Sequence, residues 1–467
     1  MMIEQLYTKC LAQGAYFIVS DGEAAVIDPL REIEPYLEKA KEQNAKIKYI
    51  FETHFHADFV SGHVSLSRKT GAPIVYGPTA EPGFGAVIAK DGQAFKVGQL
   101  TITALHTPGH TMESTTYLLK DASGKDIAIF SGDTLFLGDV GRPDLAQKAA
   151  NLSQEELAGI LYDSLRTKIM PLADDVLVYP AHGAGSACGK NMMKETVDTL
   201  GNQKKVNYAL RADMTKEEFI KEVTEGLLPP PAYFPANVAL NKKGYEDLEQ
   251  LKTNNLNALK PQAFEEKMQS EHAIVLDVRH QSDFIASHIP NSIFIGLDGG
   301  FAPWVGAVLK DIKTPLLLVT PSGREEETIT RLARVGFDHV LGYLEGGIEA
   351  WEASEKSIEA LTSVDAQSLE TAISNGANVV DVRNPGEIEA AHIKSSTAAP
   401  LGELDAHFDQ LKSLQPFYVH CAGGYRSVIA ASLLKRNGIS EVVDVAGGFA
   451  AIKNTQIPLE QGTTCSA

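Results

Sequence analysis

At 467 residues the chain is long enough for about three domains of ~150 residues, and its 44% hydrophobic and 22% charged residues exclude the disordered and fibrous classes. Forty-two basic against 60 acidic residues give a formal net charge of −18, which repels nucleic acid and anionic lipid. No apolar run approaches the ~18 residues needed to cross a bilayer, residues 1–22 lack a basic region followed by an apolar stretch, and four scattered cysteines cannot form a secreted disulfide scaffold; a cytoplasmic protein with free thiols and no membrane or nucleic-acid partner is expected.

Residues 15–27, 47–51, 100–105, 115–119 and 127–131 combine β-branched and aromatic residues between turns, which predicts strands. Residues 31–44 and 153–169 carry helical spacing, and Ser153 with Glu156 three positions on has the form of a reciprocal helix cap. A layered α/β domain follows. Pro229, Pro230 and Pro231 break the helical stretch beyond Lys190 and mark the approach to a domain edge, so the first domain is placed at residues 1–250. Beyond it lies an internal repeat. The Asp277-Val278-Arg279 and His288-Ile289 motifs recur 104 residues further on as Asp381-Val382-Arg383 and His392-Ile393, and Gly346-Gly347 recurs 101 residues on as Gly447-Gly448. Two copies of a small parallel-sheet α/β domain are therefore expected, at residues 255–358 and 362–467, with a late helix over 427–437 ended by Gly438.

Chemistry gathers where predicted strands end, the usual place for catalytic groups. Thr53-His54-Phe55-His56-Ala57-Asp58 follows strand 47–51, and His110, Asp133 and His182 each follow another strand-like run. One such histidine is ordinarily a hydrogen-bonded structural residue, but imidazoles and carboxylates in this order over four loops point to a metal. On these motifs the first ~245 residues resemble the metallo-β-lactamase superfamily, which implies an αββα sandwich. Most hydrolytic members carry a histidine directly after the aspartate of the first motif, completing a second metal site; here that position is Phe59. The chain therefore looks more like the superfamily's one-iron persulfide dioxygenases than like the two-metal glyoxalase II hydrolases. That resemblance implies one Fe(II) on His54, His110 and Asp133, with His56, Asp58 and His182 as nearby hydrogen-bonding groups. Such a triad leaves about three coordination positions open, against one at a tetrahedral zinc, yet the same donors bind zinc at least as tightly; the ligands alone leave both metals open. Arg142, in Gly141-Arg142-Pro143-Asp144, resembles the family arginine that meets the substrate's carboxylate. Cys188 lies among glycines beside Lys190, and two readings stand: a buried filler, or a thiolate relaying persulfide near the iron.

In the last copy a strand over 417–420 runs into Cys421, Ala422, Gly423, Gly424, Tyr425 and Arg426, and then into a helix. Loop amides, the helix dipole and Arg426 would favour the thiolate and hold an anion. With Asp381, Arg383, His392 and Gly447-Gly448, residues 362–460 resemble the rhodanese-like family. The resemblance implies Cys421 as nucleophile, Arg426 as its cationic partner, and Ala422, Gly423, Gly424 and Tyr425 as substrate-binding residues. A six-residue loop suits a persulfide sulfur, whereas a loop one residue longer suits a tetrahedral oxyanion. The middle copy has Thr320 where Cys421 stands, and Glu325, Glu326 and Glu327 would repel an anion, so a structural or docking role is expected for it. Cys10 and Cys465 are expected to be bystanders.

The expected whole is a multidomain α/β enzyme, a persulfide dioxygenase fused to an inactive and an active rhodanese-like domain. Its expected partners are a small persulfide of glutathione, coenzyme A or a similar thiol, O₂, and sulfite or thiosulfate; a homo-oligomer is expected. Two readings compete. Phe59 argues against a glyoxalase-like zinc thioesterase joined to a sulfurtransferase, and the intact ligand triad argues against a non-enzymatic persulfide sensor or carrier.

Overall fold

Strands β1 (Met2–Thr8), β2 (Gln13–Ser20) and β3 (Glu23–Ile27) form an antiparallel meander in the computed structural model, which describes residues 1–462. The stretch 15–27, expected to be one strand, is a hairpin. Asp21 and Gly22 both adopt left-handed φ, 49° and 74°, the geometry of the tight turn that an Asp-Gly pair favours. Parallel strands β4 (Lys46–Phe51), β5 (Ile74–Tyr76) and β6 (Val87–Ile88) complete a six-stranded sheet in sequential order. A second sheet runs β12-β11-β10-β9-β8-β7, from β7 (Ala94–Val97), β8 (Leu100–His106), β9 (Thr115–Lys120), β10 (Asp126–Gly132), β11 (Leu177–Pro180) and β12 (Asp198–Thr199).

Strand alternation builds the layers. In β2, Tyr16 and Ile18 join Phe51, Tyr117, Leu119 and Phe130 in a core between the sheets. Their neighbours Ala15, Phe17 and Val19 face outward with Tyr36, Ala40 and Leu66 of helices Glu34–Glu42 and His63–Thr70. On the other sheet, Leu118, Ile129 and Val178 pack with Ala158, Leu161 and Phe219 of helices Gln154–Ser164 and Lys216–Thr224. Helix, sheet, sheet and helix are thus four layers. The helix expected over 31–44 is shorter because Pro35 sits in its first turn, which sets the start. The helix expected over 153–169 is Gln154–Ser164 followed by a wider π turn, Leu165–Ile169; Ser153 accepts from the Glu156 amide, and Glu156 accepts from the Ser153 amide.

These layers belong to a unit formed by Met1–Leu251 with Lys310–Ile312 and Leu332–Gly336. The triple proline does not end it. Helix Phe234–Lys243 lies beyond those prolines, and its Asn241 bonds back to the loop after β4.

The other unit spans Lys252–Leu309, Lys313–Arg331 and the chain from Phe337 onward. It contains two five-stranded parallel sheets of one topology. The first, β13-β17-β16-β14-β15, uses β13 (Ala258–Leu259), β14 (Ile274–Asp277), β15 (Ile293–Phe294), β16 (Leu316–Val319) and β17 (Val340–Leu344). The second, β18-β23-β22-β19-β21, uses β18 (Ser363–Val364), β19 (Asn378–Asp381), β21 (Thr397–Ala398), β22 (Phe417–His420) and β23 (Val442–Val445), while β20 (His392–Ile393) pairs separately with β24 (Leu459–Glu460). Repeated residues do repeated work. Arg279 clamps Asp277 and reaches the Ser287 carbonyl at 2.7 Å; Arg383 clamps Asp381 and reaches the Ala391 carbonyl at 2.7 Å. The copies touch within this unit, where Ser432 Oγ accepts from the Phe294 amide and Arg436 donates to the Asn291 carbonyl. Cys465 lies outside the described residues. No helix among the described residues is long and apolar enough to cross a membrane.

The reciprocal cap is testable. Ser153→Ala should lower stability by about 1 kcal/mol and Ser153→Asp should restore most of it, measured by urea unfolding; an alanine variant as stable as the wild type would deny the cap its role.

Candidate metal centre and thiol loop

Three strand ends and one further loop converge in the first unit. His54 lies just after β4, His110 in the β8–β9 loop, Asp133 just after β10 and His182 just after β11. His54, His110 and Asp133 are buried, and one donor atom from each lies within 4.8 Å of the others. Asp133 Oδ2 is 3.4 Å from His110 Nε2 and 3.9 Å from His54 Nε2. It has no hydrogen-bond partner. A buried carboxylate oxygen left this way is costly, and a cation between it and the two nitrogens would satisfy it, so the three side chains fit a metal ion.

The outer ring nitrogens prepare that fit. His110 Nδ1 is 2.8 Å from the Arg142 carbonyl, which can only accept, so Nδ1 carries the proton and Nε2 offers its lone pair. His54 Nδ1 lies 3.0 Å from Thr53 Oγ1, whose hydroxyl donates to Asp28 Oδ2 at 2.8 Å. With the hydroxyl proton committed to Asp28, His54 Nδ1 is the donor and Nε2 again faces inward. Burial, reinforced by His56, pushes His54 well below the usual imidazole range and keeps it a neutral ligand.

Two other groups of buried donors stand nearby, Asp58 with His182 and Cys188, and Asp28 with Glu52 and His56. Both are partly committed, although Asp58 Oδ1, His182 Nε2, Glu52 Oε2 and both His56 ring nitrogens also lack hydrogen-bond partners. His182 lies 2.8 Å from Asp133 Oδ1 through Nδ1 and 2.8 Å from Asp58 Oδ2 through Nε2. Burial opposes its charge, but Asp133 and Asp58 overcome that and raise His182 well above the usual range. It sits between two carboxylates, and a second metal on Asp58 would compete with that contact. Phe59, 4.4 Å from the His56 ring and 6.5 Å from the His182 ring, is buried beside both. In the third group Asp28 is engaged by the Thr53 amide and hydroxyl, and burial followed by Asp28 raises Glu52 well above the carboxylate range, so it is neutral.

Arg142 and Cys188 sit at the site with their polar groups engaged or buried, and for Cys188 this agrees with the first of its two readings. Arg142 is buried, and its guanidinium is held by Asp144 at 2.7 Å through both Nε and Nη2, and by the Ala187 and Leu228 carbonyls. Its charge is spent within the chain, and what it offers the site is the carbonyl that orients His110. Cys188 lies beside Asp58 and His182, but burial, then Asp58 and Asp133, raise its thiol well above the ordinary range. Lys190, expected to favour a thiolate, donates instead to the Glu222 and Glu225 carbonyls.

Several supports were absent from the sequence reading. Asn241 donates to the His56 and Phe59 carbonyls at 2.8 and 2.7 Å and accepts from the Ser61 amide. Glu113 accepts from the Phe55 amide, and Asp28 anchors Thr53. Together they fix the loop that carries His54, His56 and Asp58.

In the second unit Cys421 follows β22 and is buried, with the Gly424 amide donating to its Sγ at 3.2 Å and Ser427 Oγ 3.6 Å away. Gly424 has φ 95°, a conformation that glycine adopts without strain. Arg426 does not face the thiol alone: its guanidinium is paired with both oxygens of Glu387 at 2.7 and 2.8 Å. Tyr425 turns to the other copy and donates to the Gly296 carbonyl at 2.7 Å. At the matching turn of the middle copy, Glu325 places its own carboxylate on the Gly323 amide at 3.1 Å and near Thr320 Oγ1 at 3.4 Å. Glu325 thus takes one amide of that turn.

Residues 9–182 match the Metallo-beta-lactamase superfamily, and residues 260–354 and 365–455 match the Rhodanese-like domain. Over 171 residues the chain is 36% identical to a hydroxyacylglutathione hydrolase of Tolumonas auensis, covering 36% of this chain and 60% of that protein. Over 233 residues it is 29% identical to human "Persulfide dioxygenase ETHE1, mitochondrial", covering 47% of this chain and 79% of that protein. The chain spans only 60 to 66% of the length of the hydroxyacylglutathione hydrolases that it matches first. A metallo-beta-lactamase crystal structure from Staphylococcus aureus superposes with a TM-score of 0.65 at 28% identity, over 74% of this chain and 98% of that one.

The charges of the site set a pH dependence. Burial opposes ionisation of Asp133, but His182 and His54 hold it well below the carboxylate range. Its contribution to stability is therefore present above about 3.9, the ordinary value, and is lost as pH falls from there toward the depressed one. In metal-free protein Asp133→Asn should cost about 1–3 kcal/mol at pH 7, and the gap between the urea midpoints of variant and wild type should hold down to about pH 4 and narrow only below it. Midpoints equally far apart at pH 7 and pH 3 would contradict this.

Proposed function

Because the chain belongs to the metallo-β-lactamase superfamily through residues 9–182 and carries two rhodanese-like domains, we propose that it is a persulfide dioxygenase fused to a sulfurtransferase. The observation that carries the first half is the set His54, His110 and Asp133, one of three buried donor groups among the described residues and the one that matches two imidazoles with one carboxylate. His54, His110 and Asp133 share an unpartnered carboxylate oxygen, while the neighbouring Asp58 is paired with His182 and the next position is Phe59. A thioesterase of the two-metal kind needs that second site to activate water. Coverage of 79% of a persulfide dioxygenase, against 60 to 66% of the hydrolases, supports the same reading.

In this reading His54, His110 and Asp133 hold one iron(II), which when bound supplies the redox chemistry that joins dioxygen to sulfur. The overall reaction takes a small persulfide, RSSH, with O₂ and water to sulfite and the thiol RSH. The chain's own residues supply geometry and charge. Thr53 and the Arg142 carbonyl orient the imidazoles, and His182 bonds Asp133 Oδ1 through Nδ1 at 2.8 Å.

Cys421 performs the second reaction. Its thiolate attacks the outer sulfur of thiosulfate; the Sγ–S bond forms, the S–S bond of thiosulfate breaks, and sulfite leaves with the electron pair. Run in reverse, the Cys421 persulfide and sulfite give thiosulfate, so the product of the first site is a substrate of the second. The Gly424 amide, 3.2 Å from Sγ, stabilises the thiolate.

Oxygen uptake separates the sites. Persulfide-dependent uptake should fall at least 100-fold in His54→Ala, His110→Ala and Asp133→Ala, while Cys421→Ser should abolish sulfur transfer from thiosulfate and leave uptake intact. Thioester hydrolysis with no oxygen uptake on glutathione or coenzyme A persulfides would replace this reading with a glyoxalase-like one.

A further inference from the structure

The middle rhodanese-like copy has no thiol at its turn, and Glu325 occupies the amide that would meet an anion. Its contact with the other copy gives it another task. Tyr425, the residue directly after Gly424, is the first residue of helix Tyr425–Arg436. Its hydroxyl donates to the Gly296 carbonyl at 2.7 Å, and its ring meets Phe294 edge-on at 5.8 Å. Gly299 completes the seat. A Cβ built on Gly299 would stand 2.3 Å from Tyr425 Cζ and 2.4 Å from Cε2, and the three atoms nearest to it all belong to that ring. The strap beneath is itself pinned, with Arg331 donating to the Leu297 carbonyl at 2.6 Å and Arg324 to Asp298 at 2.9 Å.

From this seat we infer that the middle copy braces the sulfur-transfer loop of the last copy, with Tyr425 as a positioning residue that aims the Gly424 amide at Cys421 Sγ. The link is covalent and short. One peptide unit separates the anchored tyrosine from Gly424, at φ 95°, whose N–H lies 3.2 Å from sulfur; the start of the loop is held from its own copy by the Phe449 and Ala450 amides on the Cys421 and Ala422 carbonyls, and Tyr425 holds its end. Fixing Tyr425 at hydroxyl and ring removes the freedom of Gly424 to turn its N–H away. Arg426 cannot replace this support because it is paired with Glu387. The Tyr425 ring and the strap also wall a cleft of about 230 Å³ shared with Arg279, His280 and Gln281, so the brace leaves space beside the loop.

The inference rests on Cys421 as the sulfur carrier, and its test uses two readouts to keep the two apart. In the full-length protein the rate of Cys421 carbamidomethylation by iodoacetamide, followed by peptide mass spectrometry at pH 7, reports the thiolate directly; kcat/KM for thiosulfate reports sulfur transfer. Tyr425→Phe, which keeps the ring and loses only the bond to Gly296, should slow both by roughly threefold to tenfold, the worth of one hydrogen bond. Gly299→Ala should do the same from the other copy without touching the loop's sequence. In a Tyr425→Ala background, where there is no ring to displace, Gly299→Ala should have no further effect. Wild-type rates in Tyr425→Phe, or an equal slowing by Gly299→Ala with and without the ring, would overturn the brace. Should Gly299→Ala fail to fold, the Tyr425→Phe arm alone decides. If alkylation responds as expected but wild type transfers no sulfur from thiosulfate, the brace stands and the sulfurtransferase reading falls.

Discussion

One carboxylate does two tasks in the first unit, and the site depends on their separation. Asp133 gives Oδ1 to His182 and leaves Oδ2 between His54 and His110. Its position comes from the end of β10, where Gly132 takes φ 55° and a Cβ would lie 2.7 Å from the Thr53 side chain. Its carbonyl accepts from the Gly141 amide, and the Arg142 carbonyl, one residue on, orients His110. The sheet end, the ligand and the ligand's support thus form one connected piece. A metal bound there removes the cost of the unpartnered oxygen, so metal affinity and local stability are linked.

The same carboxylate also engages the neighbouring donors. Through His182, whose ring nitrogens lie 2.8 Å from Asp133 Oδ1 and from Asp58 Oδ2, it joins the two carboxylates in one buried network. Cys188 beside them stays a thiol, since burial and two carboxylates disfavour its anion. In the second unit the contrast between copies is again one of where an anion sits. Glu325 supplies one permanently at the middle copy's turn, whereas the Gly424 amide is directed at the sulfur of Cys421.

Much of this was legible in the chain because both sites are built from short contiguous motifs that follow strands. His54, His110 and Asp133 each sit directly beyond a hydrophobic run, and the six residues from Cys421 to Arg426 span one turn. The repeat was equally plain, since Asp277 with Arg279 and Asp381 with Arg383 make the same clamp. Side-chain partners were not legible. Arg142 lies where the motif suggests, yet Asp144, two residues away, captures it; Arg426 meets Glu387, 39 residues earlier; Lys190 finds backbone carbonyls. Asn241 was invisible because it lies about 185 residues from the loop it supports, beyond a proline run that looked like a boundary. The hairpin at Asp21 and Gly22 was readable, and the β-branched residues on either side concealed it.

The account turns on one metal rather than two, and metal content measures that directly. Protein purified without oxygen, loaded with excess iron(II) and freed of loose metal should retain one ion per chain, and His110→Ala should retain none. Two tightly held ions per chain would contradict the account, because the second would have to compete with His182 for Asp58.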